Sequence, residues 1–166
     1  MNRIAFSIVL LLVGSAPALA VDLPAMKAGL WQSTTTGDGA APFTLTMCID
    51  DSMQKEIFAM SQGMMQSMCS KYELRQEGNR YLSDAECKIG QSTMRGHGVM
   101  TFSGDSAYRM QTQANFEPPL MGRKQSAKTI EGKFTGPCKP GMRPGDITTA
   151  DGKTFNIRSM SPVKSK

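Results

Sequence analysis

Apolar and polar residues alternate along most of the chain after about residue 30, which predicts β-strands. The clearest run is Phe43–Ile49, where four apolar residues fall on one side of the strand and Thr44, Thr46 and Cys48 on the other. Turn residues separate further runs of this kind, which occupy 30–36, 43–49, 70–76, 80–86, 92–102, 108–116 and 124–134. We therefore predict a mainly β (α+β) fold, an antiparallel meander of about seven strands that forms a curved sheet or an open barrel.

The period changes to that of a helix after the second strand. Asp50, Asp51 and Ser52 offer N-cap side chains, and apolar residues then recur at steps of four, three, four and four: Met53, Ile57, Met60, Met64 and Met68. This spacing predicts a helix that starts near Ser52 and buries the apolar stripe against the sheet. Gly63 costs a helix up to about 1 kcal/mol relative to alanine, so the helix could stop there and resume as a turn.

The first twenty residues have the three parts of a secretory signal peptide. Arg3 supplies the positive start, Ile4–Val13 the apolar run, and Ala18–Ala20 the small-residue end, so we expect cleavage after Ala20. The apolar run is well short of the roughly 20 residues that span a bilayer as a helix, and no later stretch comes close. We therefore expect an exported protein, periplasmic or secreted, without a membrane span.

The mature chain has the size of one small domain with a mildly basic surface. We assign 1–20 to the signal peptide, 21–146 to a single β-rich domain, and 147–166 to a polar, flexible C-terminal tail with at most a weak hairpin. Loss of Arg3 lowers the net charge from +5 to +4, and the lysines and arginines are scattered along the chain. That distribution excludes a nucleic-acid footprint, which clusters its charge on one face.

Four cysteines in an exported chain predict two disulfides. No two of them are spaced as CxxC, which excludes the thioredoxin-type redox motif and the paired-knuckle zinc site. The four positions are Cys48, Cys69, Cys87 and Cys138.

The turn signal Glu77–Asn79 indicates how these cysteines pair, because it predicts a β-hairpin between the second and the third of them. With a three-residue loop centred on the glycine, Leu74 faces Leu82, and Cys69 faces Cys87. Directly opposite residues of an antiparallel pair lie close enough for a disulfide. The other two cysteines then pair by elimination, Cys48 with Cys138.

Five segments follow one another in an order that is typical of a known family. They are GLWQSTTT, TMCIDD, the methionine-bearing helix, the hairpin YELRQEGNRYLSDAEC, and GPCKPGMRPGD. Together they resemble the domain-of-unknown-function family 3617 (DUF3617), small exported bacterial proteins, from about Gly29 to Asp146. The resemblance implies an envelope location in a bacterium and four structural cysteines. It implies no activity, because the family has none assigned.

Residues that could support catalysis are few. His97 is the only histidine, and the chain lacks GxSxG, HExxH and a glycine-rich phosphate loop. Asp84 and Glu86 lie two apart on one strand face and could act as an acid–base pair, but alternating charge on a solvent-exposed face is the simpler interpretation. We therefore expect no enzyme, no catalytic residue and no cofactor.

Methionine is unusually frequent, with 14 residues in the chain. Met60, Met64 and Met68 recur at a spacing of four on one side of the helix, and their soft thioethers could form a trigonal Cu(I) site. The same spacing lets a helix bury an apolar stripe, and methionine adapts to irregular packing and to bound apolar groups. We favour core packing or an apolar groove without a metal, and we keep a Cu(I)-binding protein as the alternative.

These observations predict a non-enzymatic exported protein with a binding or envelope-associated role. Curved antiparallel sheets with a helix across them can hold apolar ligands or a peptide strand on their concave side. The expected partner is an apolar small molecule or an envelope protein, and we expect the protein to be a monomer.

Overall fold

The computed structural model describes residue 21 and residues 23–160. Its elements are β1 (Gly29–Gly37), β2 (Ala40–Ile49), α1 (Asp51–Met68), β3 (Cys69–Glu77), β4 (Arg80–Ile89), β5 (Ser92–Ser103), β6 (Ala107–Leu120), β7 (Arg123–Gly136), β8 (Asp146–Thr149), β9 (Thr154–Asn156) and the 3₁₀-helix η1 (Ile157–Met160). Within these residues no helix has the length and apolar character needed to cross a membrane. The predicted signal peptide, 1–20, lies outside the described residues.

All nine described strands form one open, curved antiparallel sheet in the order β3-β4-β5-β6-β7-β1-β2-β8-β9. The prediction of a mainly β fold with one helix after the second strand is confirmed, but the sheet has nine strands rather than seven. The segment 147–166 was expected to be a flexible tail with at most a weak hairpin; its described part, 147–160, extends the sheet as β8 and β9, and 161–166 lie outside the described residues. Ile147 is 6% exposed and pairs with Met47. Strands of three or four residues are too short to show alternation in the sequence.

The strand register gives the sheet an apolar face and a polar face. Trp31 faces Met47 on β2 and packs against Tyr108, which in turn faces Phe102. Side chains that face one another across an antiparallel ladder lie on the same side of the sheet, and we call this side the inner face. Helix α1 packs on it, because Met53 belongs to the same buried cluster as Trp31. The opposite side, the outer face, carries the charged residues of β3–β6.

A row of aromatic rings crosses the inner face, and three of its members are buried. The rings contact one another in the order Tyr81, Phe102, Tyr108, Trp31 and Phe134. Neighbouring ring centroids lie between 5.5 and 6.3 Å apart, the range of favourable aromatic pairs. The indole Nε1 of Trp31 donates a 2.8 Å hydrogen bond to the carbonyl of Lys27. The most buried ring therefore loses no hydrogen bond when it is removed from water.

Helix α1 joins β2 to β3 without a loop at its C-terminal end. The Asp50 carboxylate caps its N-terminus and accepts a 2.8 Å hydrogen bond from the Met53 amide, which confirms the predicted start. At the other end Met68 is followed directly by Cys69 of β3. Because β2 lies towards one edge of the sheet and β3 forms the other, the helix crosses the inner face. Gly63 does not interrupt it.

The predicted methionine stripe is buried only where it begins. Met53 is 1% exposed, but exposed fractions of 41%, 50% and 40% are found at Met60, Met64 and Met68. Towards the C-terminus the half-buried positions are instead Phe58, Ser61, Gln62 and Met65. A sheet twists, so a straight helix that crosses it presents a different side at each end. The expectation of core packing for the last three methionines is therefore wrong.

Both predicted disulfides are present and no described cysteine is free. Cys69–Cys87 links the two strands of the β3–β4 hairpin. Cys48–Cys138, with partners 90 residues apart in sequence, ties the end of β2 to the segment that follows β7.

The register of the β3–β4 hairpin differs from the predicted one. Glu77 pairs with Arg80 around a two-residue loop, so Leu74 faces Ser83 rather than Leu82. Gly78 takes a φ of 63° at the first loop position, as a type II′ turn requires. A bulge at the start of β3 then shifts the ladder by one residue and brings the two cysteines opposite each other.

Gly132 provides the room for the aromatic row. A Cβ atom at this position would lie 2.2 Å from a ring carbon of Tyr108, so we expect Gly132→Ala to lower the free energy of unfolding by about 1–3 kcal/mol through overpacking. Gly63→Ala is the matched control, because a Cβ atom there meets no described atom within 4 Å and should stabilise α1 by up to about 1 kcal/mol. Urea denaturation of the oxidised protein measures both changes, and a stabilising Gly132→Ala would contradict the packing.

Candidate functional site

The outer face carries a cluster of charged side chains near the middle of β4 and β5. Cross-strand pairing places Asp84 opposite His97 and Glu86 opposite Arg95. These residues line a shallow depression of about 350 Å³. Its polar members, which we call the outer cluster, are Lys71, Asp84, Glu86, Arg95, His97, Gln113 and Asn115.

Asp84 has two side-chain partners, of which one, His97, belongs to this cluster. One carboxylate oxygen lies 2.9 Å from His97 Nδ1, and Arg75 donates a 3.0 Å hydrogen bond to the other. The hydrogen bond with His97 is the main reason that the pKa of Asp84 lies below its ordinary value, and the charge of Arg75 adds to this shift. The side chains of His97 and Asp84 remain 47% and 37% exposed, so the pair is open to solvent.

The other carboxylate of the cluster has its own cation, because Arg95 Nε donates a 3.0 Å hydrogen bond to Glu86. Asp84 and Glu86 therefore do not face each other as a free acid–base pair. No described serine, threonine or cysteine hydrogen-bonds to His97, so the Asp84–His97 pair activates no nucleophile among the described residues. The described part of the chain also contains no group of three or more histidine, cysteine, aspartate or glutamate residues that could hold a metal ion.

The inner face of β5–β7 presents an apolar surface that is only half covered. The register places Met100, Met110 and Ile130 in one row and Met94 and Phe116 in another. All five side chains are neither buried nor fully exposed. We call these five residues the inner methionine surface.

Small residues lie between the two rows of this surface and leave space beneath α1. They include Ala85, Gly96, Ala114 and Ser126. A Cβ atom at Gly96 would have only two described atoms within 4 Å, the carbonyl oxygen of Gln113 and Cε of Met94. No described atom of α1 reaches that point, although the helix crosses this face. The space next to Gly96 is therefore lined by small residues, and Thr112 and Lys128 lie on the same side of the sheet towards Met110.

The three helix methionines considered as copper ligands face solvent. Met60 and Met68 are eight residues apart, which is about 12 Å along a helix axis. Two thioether side chains cannot span that distance through one ion, so a single ion could bind at most two of the three methionines while α1 stays helical. Met65, which lies off this stripe, is half buried, and its Sδ lies 3.8 Å from Sγ of Cys69.

Sequence reasoning did not find the inner methionine surface, although a signal for it exists. Met94 and Met100 have the same parity in one strand, as Met110 and Phe116 do in the next. Alternation predicts that each pair shares a side of the sheet. Whether that side is buried depends on how much of it α1 covers, and this coverage follows only from the path of the helix.

Comparison of the chain with known protein families gives a match to one family model. A family model described as "Protein of unknown function (DUF3617)" matches residues 26–138, a range that includes all four cysteines. No curated protein and no solved structure matches the chain. The resemblance inferred from the five sequence segments is confirmed, and the description of the family assigns no activity.

His97→Gln tests the electrostatics of the outer cluster. We expect the pKa of Asp84 to rise towards its ordinary value of about 3.9, because a neutral amide replaces the side chain whose hydrogen bond and charge both lower that pKa. A carboxyl with a lowered pKa adds stability above its unfolded-state pKa, and this contribution disappears as the pH falls through the folded-state pKa. The variant should therefore lose less stability than the native protein on acidification below about pH 4.

NMR titration of the Asp84 carboxyl carbon measures the shift directly. Arg95→Gln serves as the control, because Arg95 pairs with Glu86 and not with Asp84. A pKa of Asp84 that stays the same in His97→Gln would contradict the assigned cause.

Proposed function

We propose that this chain, which belongs to the DUF3617 family, is an exported, non-enzymatic binding protein of the bacterial envelope that holds an elongated apolar molecule, such as an acyl chain, on its inner methionine surface. The observation that carries the proposal is the partly exposed state of Met94, Met100 and Met110 on the face that the helix crosses. A helix that only completed a core would cover these side chains.

The chemistry of the surface suits an apolar ligand. Methionine side chains are flexible and polarisable, so they adapt to ligands of irregular shape. Phe116 adds rigid apolar area to the row of Met94, and Ile130 adds it to the row of Met100 and Met110. Burial of such a surface by a ligand is favourable by about 25 cal/mol per Å² of apolar area removed from water.

The shape of the surface favours an elongated ligand. Small residues such as Gly96 and Ala114 separate the two apolar rows, and no described atom of α1 lies within 4 Å of a Cβ atom built at Gly96. A narrow hydrocarbon chain suits a space between a helix and a sheet.

Export and the absence of catalysis rest on separate observations. The signal-peptide pattern of residues 1–20 and the two disulfides both suit an oxidising compartment outside the cytoplasm. In the outer cluster Arg95 pairs with Glu86, and the His97–Asp84 pair is exposed to solvent. This arrangement suits a solvated polar face better than an active site.

Binding of a fluorescent long-chain polyunsaturated fatty acid to the oxidised protein without residues 1–20 tests the proposal. The double substitution Met100→Gln and Met110→Gln keeps side-chain length but places amides on the inner methionine surface. We expect it to weaken binding by about tenfold or more, as the loss of about 1.4 kcal/mol implies.

Met121→Gln is the matched control. Met121 lies between β6 and β7 and is 96% exposed, so the same chemical change there should leave binding unaltered. Absence of saturable binding, or binding that survives the double substitution, would overturn the proposed function. Near-ultraviolet circular dichroism confirms that each variant keeps its packed aromatic row.

A further inference from the structure

We propose that the outer edge of β3 pairs with β3 of a second copy of this chain around a two-fold axis, so that two nine-stranded sheets join into one. The partner is a second copy because the charge pattern of β3 is complementary to itself in one register. This inference departs from the expectation of a monomer and does not depend on the proposed ligand.

The edge in question is long and unpaired. β3 extends over nine residues, whereas β9 at the opposite edge has three. No described strand pairs with the outer side of β3. A free edge of this length presents a row of backbone donors and acceptors that can template another strand.

The hairpin register shows which backbone groups point outwards. Glu77 and Arg80 flank the two-residue loop and therefore exchange hydrogen bonds within the hairpin. Hydrogen-bonded and non-hydrogen-bonded positions alternate along an antiparallel ladder. The N–H and C=O groups of Tyr72, Leu74 and Gln76 accordingly point away from β4.

Pairing centred on Leu74 satisfies all of these groups. Leu74 meets the partner's Leu74, and Tyr72 meets the partner's Gln76, with about six backbone hydrogen bonds across the axis. The positions between them are non-hydrogen-bonded pairs, in which side chains come closest. The charged residues of β3 occupy those positions.

The charges match in this register. Glu73 lies opposite the partner's Arg75, and Lys71 opposite the partner's Glu77, and the two-fold axis repeats each pair. Opposite charges that face each other across strands are stabilising, and like charges are destabilising. A register centred on Glu73 would instead place Glu73 against its own copy and Lys71 against the partner's Arg75.

Pairing would also relieve a like-charge contact in the single chain. Glu73 lies directly opposite Asp84 across the β3–β4 ladder, and its cation in the single chain is Lys71, at 3.2 Å. The partner's Arg75 would stand on the other side of Glu73. On the outer face, Glu73 would then lie between Asp84 of its own chain and the partner's Arg75.

The neighbouring row continues the alternation of charge. Arg95, Glu86 and Lys71 already alternate in sign across β5, β4 and β3. The partner's Glu77 would follow Lys71, and the partner's Arg80 would follow that glutamate. Five charges of alternating sign would cross the joined sheet.

A single strand pair buries less surface than a standard interface, so the dimer should be weak and concentration-dependent. Its ion pairs are exposed, since the side chains of Lys71, Glu73 and Arg75 are 61%, 51% and 55% accessible. Added salt screens such pairs. We expect self-association at low ionic strength that weakens as salt is raised.

Sedimentation velocity of the oxidised protein without residues 1–20, from micromolar to millimolar concentration, tests the interface by charge exchange. Glu73→Lys and Arg75→Glu each place like charges across the axis and should weaken dimerisation by about tenfold or more. The double variant with both substitutions restores opposite charges and should return dimerisation to the native level.

Glu117→Lys makes the same charge change on an exposed position of β6 away from the edge and should leave the dimer intact. In Glu73→Lys the introduced lysine lies opposite Asp84, which is a favourable cross-strand pair, and circular dichroism shows whether the variant is folded. A native protein that stays monomeric at millimolar concentration in low salt would overturn the proposal. So would a dimer that survives both single substitutions, or a double variant that fails to recover.

Discussion

The path of α1 determines how the inner face of the sheet is covered. The helix leaves β2 just after Ile49 and enters β3 at Cys69, and six strand spacings separate these two strands in the sheet. A helix of 18 residues is about 27 Å long, and six spacings of about 4.8 Å amount to about 29 Å. One helix therefore has the length to cross the sheet once, and a single helix covers only a band of it.

The two ends of α1 are anchored differently, which places the core at one end of the molecule. The N-terminal turn packs Met53 against Trp31 and Ile49, and a Cβ atom at Gly145 would lie 2.8 Å from Sδ of Met53. The segment that leads into β8 thus closes tightly on this end. The Cys48–Cys138 disulfide braces the same region, and the loop-entropy model gives such a long closure on the order of 4–5 kcal/mol.

The C-terminal end of α1 has no comparable apolar cluster. Met65 lies beside Cys69, whose disulfide with Cys87 fixes the helix to the far edge of the sheet. Between the two anchors, the methionines of β5 and β6 remain half exposed. The most buried residues therefore lie at one end of this face, and the partly exposed methionines lie elsewhere on it.

Local sequence patterns were sufficient to predict the strands β1–β7 and the helix α1. They were insufficient for features that depend on contacts between distant parts of the chain. Alternation predicted the strands from β1 to β7, and the acidic cap at Asp50 predicted the start of α1. The cysteine pairing was correct although the hairpin register was not, because a bulge that leaves no clear sequence signal compensated for the shorter loop. The strands β8 and β9 were expected only as a weak hairpin in a flexible tail, because each is too short for a period to appear.

The candidate site followed less directly from the sequence. The outer cluster needed the pairing of β4 with β5, which brings His97 to Asp84 across 13 residues of chain. The helix methionines drew attention because their spacing is helical, yet sheet twist turns Met60, Met64 and Met68 to solvent. The inner methionine surface depends on what α1 leaves uncovered, and no local pattern encodes that.

The most direct test of the half-covered inner face is the solvent accessibility of individual methionine methyl groups, measured by NMR with a soluble nitroxide in the oxidised protein. The structure predicts strong broadening of the exposed Met121 signal, intermediate broadening of Met100 and Met110, and a sharp signal from Met53. Signals of Met100 and Met110 as sharp as that of Met53 would contradict the central claim that the inner face is open.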